Sequence, residues 1–323
     1  MDLSVFFAGT AGSVPTARRG MPALLLRRGG ERVLFDCGEG TQRQLVGTVG
    51  LADLSDIFIT HYHADHWLGL PGLLKTFDLR AREKPLRIHG PRGLRELLAI
   101  VVRAVGRVRF ELALRELDPG EEIRREGYRI APFAVAHRGS SLGYVAYEDE
   151  RPGVFDPGAA VRLGLTPGPE FGRVQHGETV HGVAPDQVMG PARPGRKLAI
   201  SGDTMPCESL LVAAYRADLL IHEATFAEEE RERAAEAGHS TATQAAEMAR
   251  DAGVVMLALT HFSTRYPVGL LREEARATFA NTVVPRDFDL IEVPFPERGG
   301  PELVRWTDQQ REEEPAAVSD GPV

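Results

Sequence analysis

Between residues 60 and 66 the chain reads Thr-His-Tyr-His-Ala-Asp-His, which places His61, His63, Asp65 and His66 within six residues. Three imidazoles and a carboxylate this close together form a donor set suited to zinc or a similar divalent ion. The apolar, β-branched run Ile57 to Thr60 leads into the cluster and predicts a strand, so the donors sit on the loop that leaves it. Alternate residues there can aim at one ion while the Asp-His pair aims at a second. Four donors do not complete two ions. His137, Asp203 and His261 each follow an apolar run as well: Phe133 to Ala136, Leu198 to Ser201 and Val254 to Thr260. In α/β sheets, sites gather at the carboxyl ends of strands, so these residues can converge on the cluster although distant in sequence.

A second constellation is Gly238-His239-Ser240-Thr241, which precedes a helical pattern running to Ala252. Thr241 and Gln244 have the spacing of a capping box. His239 then stands beside a helix N-terminus, where free amides and the dipole favour a phosphate.

The elements that must position these residues are legible as alternating short apolar runs and helical patterns. Besides the runs above, Leu3 to Phe7, Val33 to Asp36, Leu86 to His89 and Leu219 to Ile221 have the length and composition of buried strands. Helical periodicity is clearest from Thr241 to Ala252 and from Leu270 to Asn281. The fold class is α/β, with helices covering sheets. From about residue 148 to 196 seven prolines and many glycines interrupt the pattern, as in an inserted arm or functional loop. The last stretch, ending REEEPAAVSDGPV, reads as a disordered acidic tail.

Composition is that of a soluble globular chain of 323 residues, 43% hydrophobic and 26% charged. No run approaches the roughly 18 apolar residues of a membrane span, and Met1 to Gly9 lacks the basic lead of a secretory signal. Two cysteines, Cys37 and Cys207, suit a reducing, cytoplasmic setting. The net charge of -8 is unevenly placed. From Asp287 to Val323 ten acids oppose three arginines, giving -7, whereas Lys75 to Arg109 holds ten bases against three acids, giving +7. An acidic protein of this kind can still carry a phosphate-binding face, and a solvated helical surface would give the same count.

The order His-x-His-x-Asp-His, then separate His, Asp and His, resembles the metallo-β-lactamase superfamily. Further segments are similar to its ribonuclease Z family of tRNA 3′-processing endonucleases. These are FDCGEGTQRQL (35–45), THYHADHWLGLPGLL (60–74), SGDT (201–204), HEATF (222–226), GHST (238–241) and LTHFSTRY (259–266). The resemblance implies an αβ/βα sandwich of metallo-β-lactamase type with an inserted, protruding arm at about 148–197. The catalytic domain would span 1–295, and the acidic tail 296–323.

It also implies two zinc ions per subunit, with manganese as the alternative. His61, His63 and His137 would hold one, Asp65, His66 and His261 the other, and Asp203 would bridge them. Two such ions clamp a phosphodiester and raise the acidity of a water, for which Asp65 would be proton acceptor. By the same resemblance His239, oriented by Glu223, would contact the scissile phosphate or protonate the leaving oxygen, and Arg265 would bind that phosphate. Gly168 and Pro169, in the Pro-Gly-Pro-x-x-Gly at 167–172, would belong to the arm that grips the tRNA elbow. Arg162, Arg173, Arg193, Arg196 and Lys197 would be its phosphate contacts. The implied substrate is precursor tRNA, cut to leave a 3′-hydroxyl tRNA and a 5′-phosphate trailer by a homodimer. The alternative within the superfamily is a small-molecule or general phosphodiesterase. The chain departs from the family at Ala64, where glycine is usual, and at Arg19-Gly20-Met21-Pro22-Ala23, which lacks the usual asparagine and hydroxyls.

Overall fold

The computed structural model describes residues 1–51 and 54–306. Six strands open the chain: β1 (Leu3–Gly9), β2 (Ala23–Arg28), β3 (Glu31–Phe35), β4 (Leu54–Phe58), β5 (Leu86–Gly90) and β6 (Leu112–Glu116). The next seven are β7 (Ile123–Arg125), β8 (Tyr128–Ala134), β9 (Leu142–Glu148), β10 (Lys197–Ile200), β11 (Leu219–Glu223), β12 (Met256–Thr260) and β13 (Thr282–Val283). Two last strands, β14 (Leu290–Glu292) and β15 (Glu302–Val304), return to the first sheet. Its order is β15-β14-β1-β2-β3-β4-β5-β6; the second runs β13-β12-β11-β10-β9-β8-β7. β3 to β6 run parallel in the first sheet, and β10 to β13 in the second.

The helices are α1 (Thr41–Val46), α2 (Ala64–Trp67), α3 (Leu70–Leu79), α4 (Leu94–Val105), α5 (Pro157–Arg162), α6 (Pro169–Gln175), α7 (Glu208–Ala214), α8 (Arg231–Ala237), α9 (Ala242–Ala252) and α10 (Val268–Thr278). Strand side chains alternate between faces, and β4 shows what that does here. Ile57 and Ile59 join a core with Leu73 and Leu74 of α3 and Leu98 of α4. Phe58 points the other way, 5.4 Å from Phe35 and 5.2 Å from Tyr144 of the second sheet. The sheets thus meet through aromatic rings, with helices outside. Full burial of each such apolar side chain contributes about 1.5–3 kcal/mol. On the second sheet α9 packs small residues, Ala245, Ala246, Ala249 and Ala252, against β11 and β12. Its capping box forms as the Thr241–Gln244 spacing predicts, with Gln244 N–H on Thr241 Oγ1 at 3.1 Å.

The chain divides into two compact units. One comprises 1–123, 130–146 and 197 onward; the other comprises 124–129 and 147–196. The second unit is more ordered than its proline content suggests. It carries α5 and α6 and an apolar cluster of Ala160, Leu165, Val174, Val180, Val183 and Val188. These residues are spaced singly, so no run announces them. Arg196, expected as a phosphate contact, is instead buried in this unit, its guanidinium on Glu148 at 2.6 and 2.8 Å. Arg173 pairs with Glu178 at 2.6 Å. Beyond the expected domain end at 295, β15 pairs with β14 through Val304. Most of the acidic tail lies outside the described residues. Among the described residues no helix is long and apolar enough to cross a membrane.

Candidate metal centre

Strand ends from both sheets bring the predicted donors together. His61, His63, Asp65 and His66 follow β4 and enter α2; His137 follows β8, Asp203 follows β10 and His261 follows β12. Donor atoms of His61, His63, His137 and Asp203 lie within 4.8 Å of one another, and so do those of Asp65, His66 and His261. Asp203 Oδ2 stands between the groups, 3.6 Å from His61 Nε2 and 3.4 Å from both His66 Nε2 and His261 Nε2. His63 is the exposed member, and His61, His66, Asp203 and His261 are buried.

Four of the five rings, all but His63, are aimed by a partner on the far nitrogen. His66 Nδ1 donates to Asp36 Oδ2 at 2.7 Å. Thr60 Oγ1 gives its own proton to Asp36, so it accepts from His61 Nδ1 at 3.0 Å. His137 Nδ1 donates to the Gly238 carbonyl at 2.7 Å. Thr225 Oγ1 donates to Glu223 Oε2 at 2.6 Å and therefore accepts from His261 Nδ1 at 2.8 Å. All four imidazoles are thereby fixed as the tautomer whose Nε2 lone pair faces the centre, the arrangement that orients metal ligands. The loops are shaped for this. A side chain at Gly12 would stand 2.5 Å from His261 Nδ1, and Gly238 adopts φ 81° against the His137 ring.

Left to the protein alone, this grouping is unfavourable. His61 Nε2 is 3.0 Å from His63 Nδ1, which is 3.2 Å from His137 Nε2, and His66 and His261 Nε2 are 3.3 Å apart. These are acceptor facing acceptor unless protons intervene. Burial, then the neighbouring His66, holds the His61 imidazole well below its usual range, so a proton there is disfavoured. Asp203 Oδ1 is buried and has no hydrogen-bond partner among the described residues, a cost that a cation removes. Burial opposes the Asp203 charge too, but the facing His261, His66 and His61 outweigh it and keep the carboxylate ionised. Nitrogen and carboxylate donors in this arrangement fit divalent transition metals.

Beside the centre, His239 Nδ1 lies 2.7 Å from Glu223 Oε1. Burial alone would discharge the His239 ring; the Glu223 charge and hydrogen bond outweigh it and push its pKa up to about 9. Glu223 is itself held by the Thr204 amide at 2.9 Å and by Thr225. A charged imidazole with Nδ1 anchored can present a proton from Nε2.

The Arg265 guanidinium is engaged by Glu230 and lies over Phe226 and Tyr266. Gly168 and Pro169 start the seven-residue helix α6 of the second unit. Residues not singled out from sequence prove central to the geometry: Asp36, Thr60, Thr225, and Ser13, whose amide donates to Asp65 Oδ2 at 2.9 Å. Asp36 lies in the FDCGEG segment just past β3, and its position after an apolar run was the available signal.

Known proteins resemble this chain over most of its length. A profile of the metallo-β-lactamase superfamily matches residues 22–237. A ribonuclease Z of Gemmatimonas aurantiaca is 48% identical over 92% of this chain and 98% of its own. That of Methanosarcina acetivorans is 44% identical over 91% and 99%, respectively. The crystal structure of human tRNase Z, short form, superposes with a TM-score of 0.67 at 30% identity, covering 90% of this chain and 99% of that one. The metallo-β-lactamase-fold protein YhfI of Bacillus subtilis, 20% identical with a TM-score of 0.68, shares the fold. The chain belongs to the metallo-β-lactamase superfamily and, within it, to the ribonuclease Z family.

Proposed function

We propose that this chain is the endonuclease that removes the 3′ trailer of precursor tRNA by hydrolysis of one phosphodiester. The observation that carries the reading is the pair of donor groups sharing Asp203, with His239 and Glu223 set 2.7 Å apart beside them. His61, His63 and His137 would hold one divalent ion, Asp65, His66 and His261 a second, with Asp203 between; zinc suits the donors and manganese is the alternative. Bound ions would supply charge stabilisation of the phosphoryl oxygens and acidify a water. The protein's own groups do the rest. Asp65, steadied by the Ser13 amide, takes the proton of the attacking water. His239, charged at neutral pH, donates from Nε2 to the departing O3′ as the P–O3′ bond breaks. The tRNA leaves with a 3′-hydroxyl and the trailer with a 5′-phosphate.

The second unit, with Gly168 and Pro169, is read as the part that holds tRNA away from the scissile bond. The working form is read as a homodimer in the cytoplasm, a compartment consistent with two unpaired cysteines. The test is to incubate a tRNA transcript bearing a 3′ trailer with the protein and with Asp65→Ala, and to map the ends. A single cut that leaves a 3′-hydroxyl, absent in the variant, is the expected result. An intact precursor alongside hydrolysis of a simple phosphodiester would reject the substrate and keep the chemistry.

A further inference from the structure

Within the first unit, four arginines line one cavity of about 190 Å³: Arg19, Arg272, Arg286 and Arg305, together with Val268, Gly269 and Val284. We propose that this cavity is a second phosphate site, which grips a backbone phosphodiester of the RNA strand whose scissile bond lies at the candidate metal centre. The proposal rests on the endonuclease reading and extends it to a binding site.

The charge balance of the cavity is the first argument. Among the described residues no acid lines it. Two carboxylates beside these arginines, Asp287 and Asp289, are already hydrogen-bonded, Asp289 by the lining Arg305 among others. Asp287 accepts from Thr10 Oγ1 at 2.6 Å, from the Gly20 amide at 2.5 Å and from Gln44 at 3.1 Å. Asp289 accepts from the Arg286 amide at 2.7 Å, from the Trp306 amide at 3.1 Å and from Arg305. Arg19 donates to Thr10 and to the Pro285 carbonyl, and Arg272 has, among the described residues, only the exposed Glu273 at 3.9 Å. The exposed Arg286 guanidinium has no side-chain partner among the described residues. Arg286 and Arg305 are close enough to Arg19 to disfavour its charge, in addition to burial and against Asp287 and Asp289. Four guanidiniums gathered against two occupied carboxylates leave an excess of positive charge that a phosphate would neutralise, and the planar fork of arginine matches phosphate oxygens.

Backbone geometry adds to this. Val268 and Gly269 are the first residues of the eleven-residue helix α10, whose N-cap, Pro267, offers no side-chain cap. The unpaired amides and dipole of that terminus favour an anion on the same cavity.

The third argument is position. The Arg19 guanidinium lies 4.7 Å from the centroid of Phe262, the neighbour of His261. Phe262 is tied to the loop carrying Arg19 through its amide on Thr10 and its carbonyl on Gly12. One residue on, Ser13 donates to Asp65. A single loop, residues 10–20, therefore runs from the candidate centre to the arginine cavity. A strand bound along it meets both.

The experiment measures kcat and KM for a trailer-bearing tRNA precursor over a range of KCl, in wild type, Arg272→Gln/Arg286→Gln and Gly269→Glu. A side chain at Gly269 meets nothing within 4 Å, and an acid in the first turn suits a helix, so that variant should fold. Both variants are expected to raise KM at least about fivefold with little change in kcat. In the arginine variant log(kcat/KM) should fall less steeply with log[KCl], by about 0.7 for each single-strand phosphate that the variant leaves unneutralised. Hydrolysis of bis(p-nitrophenyl) phosphate should be unaltered in both. Wild-type salt slope and KM in the variants would overturn the site, as would an equal loss on the small diester. A wild type that leaves the precursor intact would overturn the endonuclease reading and this site with it, a different result from cleavage with unchanged slopes. If inorganic pyrophosphate raised the Tm of wild type but not of the variants, with RNA slopes unaltered, the cavity would belong to a free phosphate and the RNA assignment would fall.

Discussion

Glu223→Gln isolates the charge that holds the proton on His239. The amide keeps the size of the side chain and an oxygen for His239 Nδ1, now 2.7 Å from Glu223 Oε1, so geometry is largely retained. What disappears is the leading attraction that lifts His239 from 6.5 to about 9 against burial. That lift is about 300-fold in the protonation equilibrium, or roughly 3 kcal/mol. A cation at the centre cancels the smaller contribution of Asp203 and itself opposes the imidazolium charge, so Glu223 is the group left to support it. Without Glu223, burial is no longer outweighed by that charge and the pKa of the ring falls. At pH 7.5 a group with a pKa of about 9 is almost fully protonated, and one at 6.5 is roughly one-tenth protonated. kcat for precursor tRNA at pH 7.5 should therefore drop at least about tenfold, within the range that a general acid supplies. The assay is a kcat profile from pH 6 to 9.5 at constant ionic strength with divalent metal in excess. The alkaline limb should move toward acid in the variant, and activity should recover below pH 6.5. An alkaline limb that stays in place would refute His239 as the proton donor held by Glu223. Stability carries the same signature. The folded-state pKa of His239 is raised, so its contribution is complete below pH 6.5 and fades as pH rises through about 9. The Tm gap between wild type and variant should close over that range.

Three further perturbations test the rest of the architecture. Asp36→Ala frees His66 Nδ1 and Thr60, and metal affinity, read by competition with a chromophoric chelator, should weaken about 10–100-fold; unchanged affinity would remove Asp36 from the account. Stripping divalent ions with a chelator should abolish cleavage and lower Tm by roughly 5 °C, both restored by Zn2+ or Mn2+, because unpaired Asp203 Oδ1 and the facing nitrogens lose their counter-charge; a Tm indifferent to chelation would contradict the fit of the donor set. Residues 151 and 193 exchange two backbone hydrogen bonds of 2.8 Å, so 152–192 can be replaced by a short Gly-Ser link there. That deletion should spare a small phosphodiester and weaken tRNA cleavage strongly, and equal losses on both would reject the second unit as a tRNA-binding element.

How much of this was legible depended on whether position in sequence encodes position in space. The run 60–66 is local, and its donors are where a strand-to-loop reading places them. The distant His137, Asp203 and His261 were legible because each follows an apolar run, although the β8 run proved to end at Ala134, with Pro132 inside it. β2 and β9 were not picked out, although β2 contains three leucines; α3 and α4 precede the stretches where helical periodicity is clearest. The core of the second unit was invisible because its valines are scattered among prolines and glycines. Arg196 was misread because nothing local distinguishes an arginine buried on Glu148, 48 residues away, from one exposed to solvent. The partner of Arg265, Glu230, is likewise out of local view, 35 residues away.

The partners that aim the rings were the hardest to see, and the backbone explains why they matter. Asp36 and His261 both adopt left-handed φ, 58° and 59°, a conformation that costs a non-glycine residue on the order of 1 kcal/mol or more. They act on opposite sides of one ring: Asp36 takes His66 Nδ1, and His261 Nε2 faces His66 Nε2 at 3.3 Å. Neither geometry is required by the strands, which end at Phe35 and Thr260. Each is held by bonds made after the strand stops: the Phe58 carbonyl and the Thr60 amide on Asp36, Thr225 on His261. The two sheets thus supply rigid ends, and the first residues beyond them take up strain to turn His66 toward Asp203. A site read only as a set of ligands misses this, because the residues bearing the strain set the direction of the donors rather than their identity.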